Sequence, residues 1–382
     1  MDSAGKPLEG LKLIDFTRVL AGPYATALLA DLGADVIKVE SPGGDDYRHI
    51  GPFRNGESAL FQSVNRGKRS IVLDLKSAAD VETARRLVNR SDALVENFRP
   101  GTMGKLGLGP ESFADTNPRL VYASISGFGQ TGPNAIRPAY DIIIQAMSGI
   151  MALTGEPEQP PTMVGEAVAD VAGGIFAAWA IMVALYERER TGRGRVIDVA
   201  LFDSLLAMLP TAAARVLVSG QDPVRTGNRH ALSAPFGVYP ARDGHFAVAV
   251  LNDRLFADFC AVLDQPQLLD DNRFKTDELR RRNESDLSVI IDHWASDFTA
   301  DEVVAKLAAG GVPASVLSTV KAAWQSEQAN ARQLMSPVRH DLLGELRLPE
   351  QPVHFIGSTR GSRKPAPELD QHGEEIRREL EE

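Results

Sequence analysis

Leu11-Lys12-Leu13-Ile14-Asp15-Phe16-Thr17-Arg18-Val19-Leu20-Ala21-Gly22-Pro23-Tyr24 opens the stretch that decides the fold class; it runs on through Gly33 to Asp35-Val36-Ile37-Lys38-Val39-Glu40. Residues 11–16 are a β-rich run, Gly22-Pro23 breaks it, and residues 24–32 read as a helix. Gly33 supplies the stop, and residues 35–40 make a second strand. The theme returns with a strand at 71–75 and a helix over 77–90, where Ser77 and Asp80 have the spacing of a capping pair. Further strands are expected at 93–96, 120–126 and 196–201. Such alternation predicts a parallel sheet covered by helices, the doubly wound α/β class.

The chain has 382 residues, which suits two domains better than one. Gly220-Gln221-Asp222-Pro223 marks a boundary. Beyond it, short strands near 236–239, 245–250 and 314–317 mix with helices near 252–263, 287–295 and 300–309. Thr299 and Glu302 have capping-box spacing for the last of these helices. The expected division is a large domain over 1–220, a smaller α+β domain over 221–325, and a C-terminal segment over 326–382. A net charge of −10 argues against general nucleic-acid binding, which needs a basic face. The single Cys260 allows no internal disulfide and points to a reducing, cytoplasmic setting; it reads as a buried hydrophobe. Residues 171–186 form the one long uncharged helical stretch. It falls short of the roughly 20 residues that cross a bilayer, so a buried core helix is expected and no membrane partner.

Asp170 stands at the start of that helix, after the alternating, strand-like run Gly165-Glu166-Ala167-Val168-Ala169. Asp is a favoured N-cap residue, so a plain cap explains it by itself. A carboxylate facing the positive end of a helix dipole should also stay ionised, and its small neighbours leave room for a substrate. Spacing alone does not choose between cap and nucleophile.

Gly127-Phe128-Gly129-Gln130-Thr131-Gly132 matches the dinucleotide fingerprint, but Pro133-Asn134-Ala135-Ile136-Arg137-Pro138 follows where a helix must open. That argues against a nicotinamide oxidoreductase and for a glycine loop over a substrate. The seven histidines are scattered and no cysteine pair occurs, so no metal site is expected. Cations gather instead at strand ends: Lys76 follows the strand at 71–75, and Asn97-Phe98-Arg99 follows the strand at 93–96. Open α/β sheets bind ligands beyond the carboxyl ends of their strands, and such cations with an aromatic ring suit phosphates and an adenine.

Taken in order along the chain, several segments resemble one family, the class III CoA-transferases, also called CaiB/BaiF. They are Asp15-Phe16-Thr17-Arg18-Val19-Leu20-Ala21-Gly22-Pro23, Gly33-Ala34-Asp35-Val36-Ile37-Lys38-Val39-Glu40, Asn65-Arg66-Gly67-Lys68-Arg69-Ser70 and Glu96-Asn97-Phe98-Arg99-Pro100-Gly101. Ser126-Gly127-Phe128-Gly129, Tyr140-Asp141, Asp170, Arg190-Thr191-Gly192-Arg193-Gly194, Gly227-Asn228-Arg229-His230 and Asn252-Asp253-Arg254-Leu255-Phe256 continue the series. The resemblance implies a Rossmann-like large domain with a parallel sheet, a smaller α+β domain, and a C-terminal segment that returns to the large domain. It further implies an interlocked homodimer.

The same resemblance places the family nucleophile on Asp170. It places coenzyme A contacts at Val19, Leu20, Leu73, Lys76, Asn97, Phe98, Arg99, Lys105, Arg137 and Tyr140. The implied activity moves CoA from an acetyl- or succinyl-CoA-like donor to a small carboxylic acid, through an aspartyl mixed anhydride and an aspartyl-CoA thioester. Acyl-CoA is then a substrate, and no permanently bound cofactor is implied. Backbone N–H groups near Gly173-Gly174 or in the 127–132 loop are candidates for the oxyanion site. Arg229 or His230 is a candidate for a second carboxylate of a dicarboxylic acceptor. The runner-up is the family's acyl-CoA racemase branch, which uses a histidine where this chain has Tyr140, a poorer proton shuttle at neutral pH. Members acting on oxalate and formyl-CoA carry a run of glycines where this chain has Arg225-Thr226-Gly227-Asn228-Arg229-His230-Ala231. That difference argues against those substrates.

Overall fold

The computed structural model describes residues 5–358 and 364–382. Its large unit is built on six strands: β1 (Lys12–Asp15), β2 (Asp35–Glu40), β3 (Arg69–Val72), β4 (Ala93–Glu96), β5 (Val121–Ser126) and β6 (Val196–Ala200). They pair in the order β3-β2-β1-β4-β5-β6, every pair parallel. This is the doubly wound order, whose direction of winding reverses between β1 and β4.

Residue parity explains how the sheet is covered. Ile14 lies opposite Ile37 on one side and Leu94 on the other. Successive side chains of a strand point to opposite faces. Leu13, Val36, Ala93 and Val95 therefore join one apolar cluster, with helices α1 (Ala21–Asp31) and α4 (Val168–Thr191). Ile14, Ile37, Ile71 and Leu94 join the other, with α2 (Ala78–Asn89) and α8 (Gly373–Glu381). Helix α1 follows β1 through a tight turn, because a Cβ on Gly22 would collide with the Thr17 side chain. It lies close against α4, because a Cβ on Gly174 would sit 2.7 Å from the Ala21 carbonyl oxygen. Ser77 caps α2, its hydroxyl accepting from the Asp80 N–H.

The large unit comprises residues up to Ile150, Met163–Gly220 and Glu327–Glu382; the small unit comprises Met151–Thr162 and Gln221–Ser326. Residues 151–162 thus group with the small unit, whereas the sequence reading kept them in the large one. The small unit has an antiparallel sheet in the order β9-β8-β7, from β7 (Phe236–Pro240), β8 (His245–Ala249) and β9 (Ala314–Val316). Helices α5 (Asp253–Val262), α6 (Glu284–Ala295) and α7 (Ala300–Ala309) complete it. Phe246, Phe256 and Phe259 are fully enclosed in its core with Cys260, whose thiol burial pushes up to about 11. Thr299 and Glu302 make both hydrogen bonds of the capping box at α7. In the large unit, the C-terminal helix α8 sinks Ile376 and Leu380 into the β1–β3 side cluster, and Arg69 pairs with Glu379 at 2.7 Å.

Two expectations need correction. The segment before Asp170 contains no strand: Val168 and Ala169 already belong to α4, since alternation over a few small residues cannot outweigh helix continuation. Helix α4 spans 24 residues rather than 16, reaching Thr191 because Glu187, Arg188, Glu189 and Arg190 extend it as a charged last turn. By length and composition it could cross a membrane, and half of its most apolar window is buried inside the unit. The sequence reading also passed over the helices Ala59–Asn65 and Asp141–Ser148 and the hairpin Met335–His340/Gly344–Pro349.

Candidate active site

At the carboxyl ends of β1 and β4, where the winding reverses, a cavity of about 230 Å³ opens. Its walls come from the turn after β1 (Arg18, Val19, Leu20, Ala21) and the turn after β4 (Asn97, Phe98, Arg99, Pro100). Arg137 and Tyr140, just ahead of α3 (Asp141–Ser148), and Asp170, in the first turn of α4, complete it. Ligands of doubly wound sheets bind at such a reversal point.

Eight of the eleven expected site residues therefore meet in one place: Val19, Leu20, Asn97, Phe98, Arg99, Arg137, Tyr140 and Asp170. Three do not line this cavity. The side chain of Leu73 is enclosed in the apolar cluster with Ile14 and Ile37. Lys76 is exposed in the turn beyond β3, and Lys105 is exposed at the end of the short helix Thr102–Lys105. Asn97 is largely engaged within the protein. Its amide accepts from the Arg18 N–H at 3.0 Å and donates to the Arg18 carbonyl at 2.8 Å, tying the two strand ends together. The Arg18 guanidinium lies 5.4 Å from the centre of the Phe98 ring. Beneath Phe98, Glu96 accepts from the Phe98 N–H at 2.8 Å, and burial pushes its carboxyl up to about 7.

Asp170 is not the cap of its helix. The N-cap is Ala167, and Asp170 sits three residues further in. The capping is done from another helix: Asp141 Oδ1 accepts from the N–H groups of Ala169 at 2.7 Å and Asp170 at 3.3 Å. Gln145, one turn along α3, donates to Asp141 Oδ2 and accepts from the Val164 N–H, fixing the approach to α4. The Asp170 carboxylate makes no hydrogen bond with any described residue. Burial, and then the neighbouring Asp141, push it up to about 7. The expected ionisation at all ordinary pH is thus corrected: the helix terminus does not offset the loss of water and a second carboxylate.

Two further groups at this site carry no local sequence signal of their own. Asp141 was visible only as part of a motif, although Asp in a first helical turn suggests a capping role. Tyr47 belongs to the 3₁₀ turn Asp46–His49. Its phenol is pushed up to about 12 by burial and by Asp170, Asp45, Glu166 and Asp141, so it stays protonated within reach of their charge. The expected oxyanion donors at Gly173-Gly174 are also corrected. Both lie inside α4, where backbone N–H groups serve the helix, and both are small so that Leu201 and α1 can approach. Of the 127–132 loop, Gly127 lines the cavity. The helix after that loop opens only at Asp141, as the break in the dinucleotide fingerprint predicts.

In the small unit, Arg229 does not offer a free cation. Its Nε donates to Glu284 at 2.6 Å, its Nη1 to the Val238 carbonyl, and its guanidinium stacks 4.1 Å above Tyr239. His230 stacks on Phe236, with ring centres 4.5 Å apart.

A half-buried, unbonded carboxylate beside an aromatic and cationic cleft suits covalent transfer of an acyl group from a large anionic carrier. Comparison with known proteins agrees in class. A profile described as CoA-transferase family III matches residues 8–373. The chain is 44% identical over 377 residues to an acetyl-CoA:oxalate CoA-transferase of Acetobacter aceti, covering 98% of this chain and 96% of that protein. It is 39% identical over 381 residues to a succinyl-CoA:glutarate CoA-transferase of Mus musculus, covering 98% and 86%. A crystal structure of a CAIB/BAIF family protein from Brucella suis superposes with a TM-score of 0.89 at 40% identity, covering 99% of this chain and all of that one. The chain belongs to CoA-transferase family III. It is a class III CoA-transferase, an enzyme that moves coenzyme A between an acyl-CoA and a carboxylic acid.

Proposed function

We propose that Asp170 is the nucleophile of this transfer. Its carboxylate attacks the thioester carbonyl of the donor, giving an aspartyl mixed anhydride and releasing CoA as thiolate. The thiolate attacks the aspartyl carbonyl, expelling the donor acid and leaving an aspartyl-CoA thioester. An acceptor carboxylate then attacks that thioester, and the thiolate returns to the acceptor's acyl group. One thioester is exchanged for another, so the overall step is near balance in free energy. Splitting it into covalent stages is what lowers each barrier. The carrying observation is that Asp141 satisfies the start of α4 and leaves the Asp170 carboxylate free at the reversal point of the sheet.

In this reading the coenzyme lies along Val19, Leu20, Asn97, Phe98, Arg99, Arg137 and Tyr140, with Lys76, Lys105 and the chain near Leu73 further out. Arg18 and Phe98 form the stacked cation and ring beside which an adenine fits. The donor is an acetyl- or succinyl-CoA-like thioester, and the acceptor a small mono- or dicarboxylic acid. Oxalate stays among the candidates despite the absent glycine run, because the relative named for oxalate is 44% identical. Among the described residues no histidine lines the cavity, which gives the racemase chemistry no support.

The reading includes a homodimer. Ile175, Trp179, Val183 and Tyr186 form an exposed apolar stripe along α4, with Trp179 and Tyr186 about two-thirds exposed (64% and 70%). A second copy of this chain is the occupant proposed for that face. Incubation with a panel of acyl-CoAs and free acids, read by mass spectrometry, tests the reaction: CoA appears on a new acid and a CoA-sized mass on Asp170. α-Carbon deuterium uptake without CoA exchange would overturn it. Sedimentation of a monomer at micromolar concentration would remove the dimer.

A further inference from the structure

The turn that faces Asp170 contains a backbone outlier. Val19 has φ of +70°, in the left-handed region that a β-branched residue rarely enters. Such conformations persist only where surrounding contacts over-determine them, and they gather at functional sites. Here the contacts are explicit, and each comes from a different element. Lys38, on β2, donates from Nζ to the Thr17 carbonyl at 2.7 Å. Asn97, beyond β4, holds both the N–H and the carbonyl of Arg18. Asp45 accepts the Val19 N–H on Oδ1 at 3.0 Å and the Tyr47 N–H on the same oxygen at 2.9 Å.

Asp45 is itself fixed. Its Oδ2 pairs with Lys38 Nζ at 2.8 Å, both side chains being buried, and its own N–H donates to Glu40 Oε2. Glu40 in turn holds Arg48 through two oxygens at 2.7 Å. One carboxylate therefore joins the strained Val19 peptide to the buried Lys38 and to the 3₁₀ turn that carries Tyr47. Asp45, Lys38 and Glu40 do not line the cavity. Val19, Leu20 and Ala21 do line the cavity with Asp170.

We infer that Asp45 is a positioning residue for the reaction at Asp170: by holding the Val19 N–H it keeps Val19 left-handed and sets the wall of the cavity against the nucleophile. The inference rests on the transferase reading. Its consequences are unequal along the turn. Asn97 still clamps Arg18 when Asp45 is lost, so the Arg18–Phe98 pair beside which the adenine fits is retained. The Val19–Ala21 side, nearest α1, loses its register.

Asp45→Ala is expected to lower kcat about 10–100-fold, as misplacement by roughly an ångström does, while KM for the acyl-CoA stays within about threefold. Asp45→Asn keeps an oxygen for the Val19 and Tyr47 N–H groups but removes the charge opposite Lys38. Both variants should lose thermal stability, and only Asp45→Ala should lose kcat. Glycine adopts positive φ without strain, so adding Val19→Gly to Asp45→Ala should restore at least about fivefold of the lost kcat. Hydrogen exchange over residues 12–24 reads the turn without any assay of activity: exchange speeds up in Asp45→Ala and stays near wild type in Asp45→Asn. Equal kcat losses in the two single variants, or no rescue by glycine, would overturn the inference, as would unchanged exchange in Asp45→Ala. If the wild-type protein moves no CoA in the same assay, the transferase mechanism fails instead, and exchange still decides whether Asp45 holds the turn.

Discussion

The turn after β1 in the large unit and the loop around Arg229 in the small unit each carry an arginine, Arg18 and Arg229. Folded, they differ in what is left over. Arg229 is balanced by Glu284, bonded to the Val238 carbonyl and stacked on Tyr239. Around the β1 turn, Lys38, Asp45 and Asn97 use their hydrogen bonds to hold backbone, while Asp170 keeps an unbonded carboxylate. A charge near a cleft is available for chemistry only where the fold has satisfied everything around it and left that group unsatisfied. The small-unit loop satisfies its own candidate, so its cation reads as structure.

The largest effect should come from removing the free group. Asp170→Ala is expected to reduce CoA transfer by about 10⁴-fold or more, with the fold intact by circular dichroism, since losing a covalent nucleophile leaves only binding and orientation. Full turnover in that variant would end the contrast between the two regions. Next in size is pH. With its carboxyl pushed up to about 7, Asp170 is protonated and non-nucleophilic in acid. The kcat/KM profile should therefore fall about tenfold per unit below pH 7 and flatten above it. Asp141→Asn keeps an acceptor for the Ala169 N–H and removes one negative charge. It should move that acid limb downward by about half a unit. A limb that stays put would show that burial alone sets the Asp170 ionisation. Stability runs in the opposite sense. A carboxyl raised from its ordinary range favours folding below that range, and this contribution is lost as pH rises through about 7. Asp170→Asn should accordingly melt a few degrees higher than wild type at pH 8, and no higher at pH 3.5.

These expectations draw unequally on the sequence. The βα alternation from β1 to β4 was legible because each strand is a compact β-rich run bounded by Gly, Pro or a capping Ser, and local signals dominate there. The capping box at Thr299 and Glu302 was legible for the same reason. Asp170 stood out as a carboxylate at the head of an apolar helix, yet its ionisation did not, because that depends on burial in the fold and then on Asp141, twenty-nine residues away. Nor could spacing reveal that Asn97 braces Arg18 or that Asp45 holds Val19, since both contacts join separate βα units. Leu73 misled for a related reason: a strand end lies near the ligand crevice, but parity turned this side chain into the core. Residues 151–162 hold Pro157, Pro160 and Pro161, a proline-rich break that marks a loop but not its owner, and packing assigns them to the small unit.

The smallest expected effect sharpens the comparison from the other side. Arg229→Ala removes a part-buried ion pair with Glu284 and a guanidinium stacked on Tyr239. Partial exposure screens the pair, so the loss should be about 1–2 kcal/mol in urea unfolding of the small unit. The loss should appear in stability and not in recognition: KM for a dicarboxylic acceptor should match that for a monocarboxylic one in its response to the change. If KM for the dicarboxylic acid alone rises, Arg229 must leave Glu284 when substrate binds, and the pairing described here is a resting state. Glu284→Gln separates the two cases. It weakens the internal pair, so a substrate-binding Arg229 would bind the acid more tightly in this variant, whereas a structural Arg229 would leave KM unchanged while stability falls.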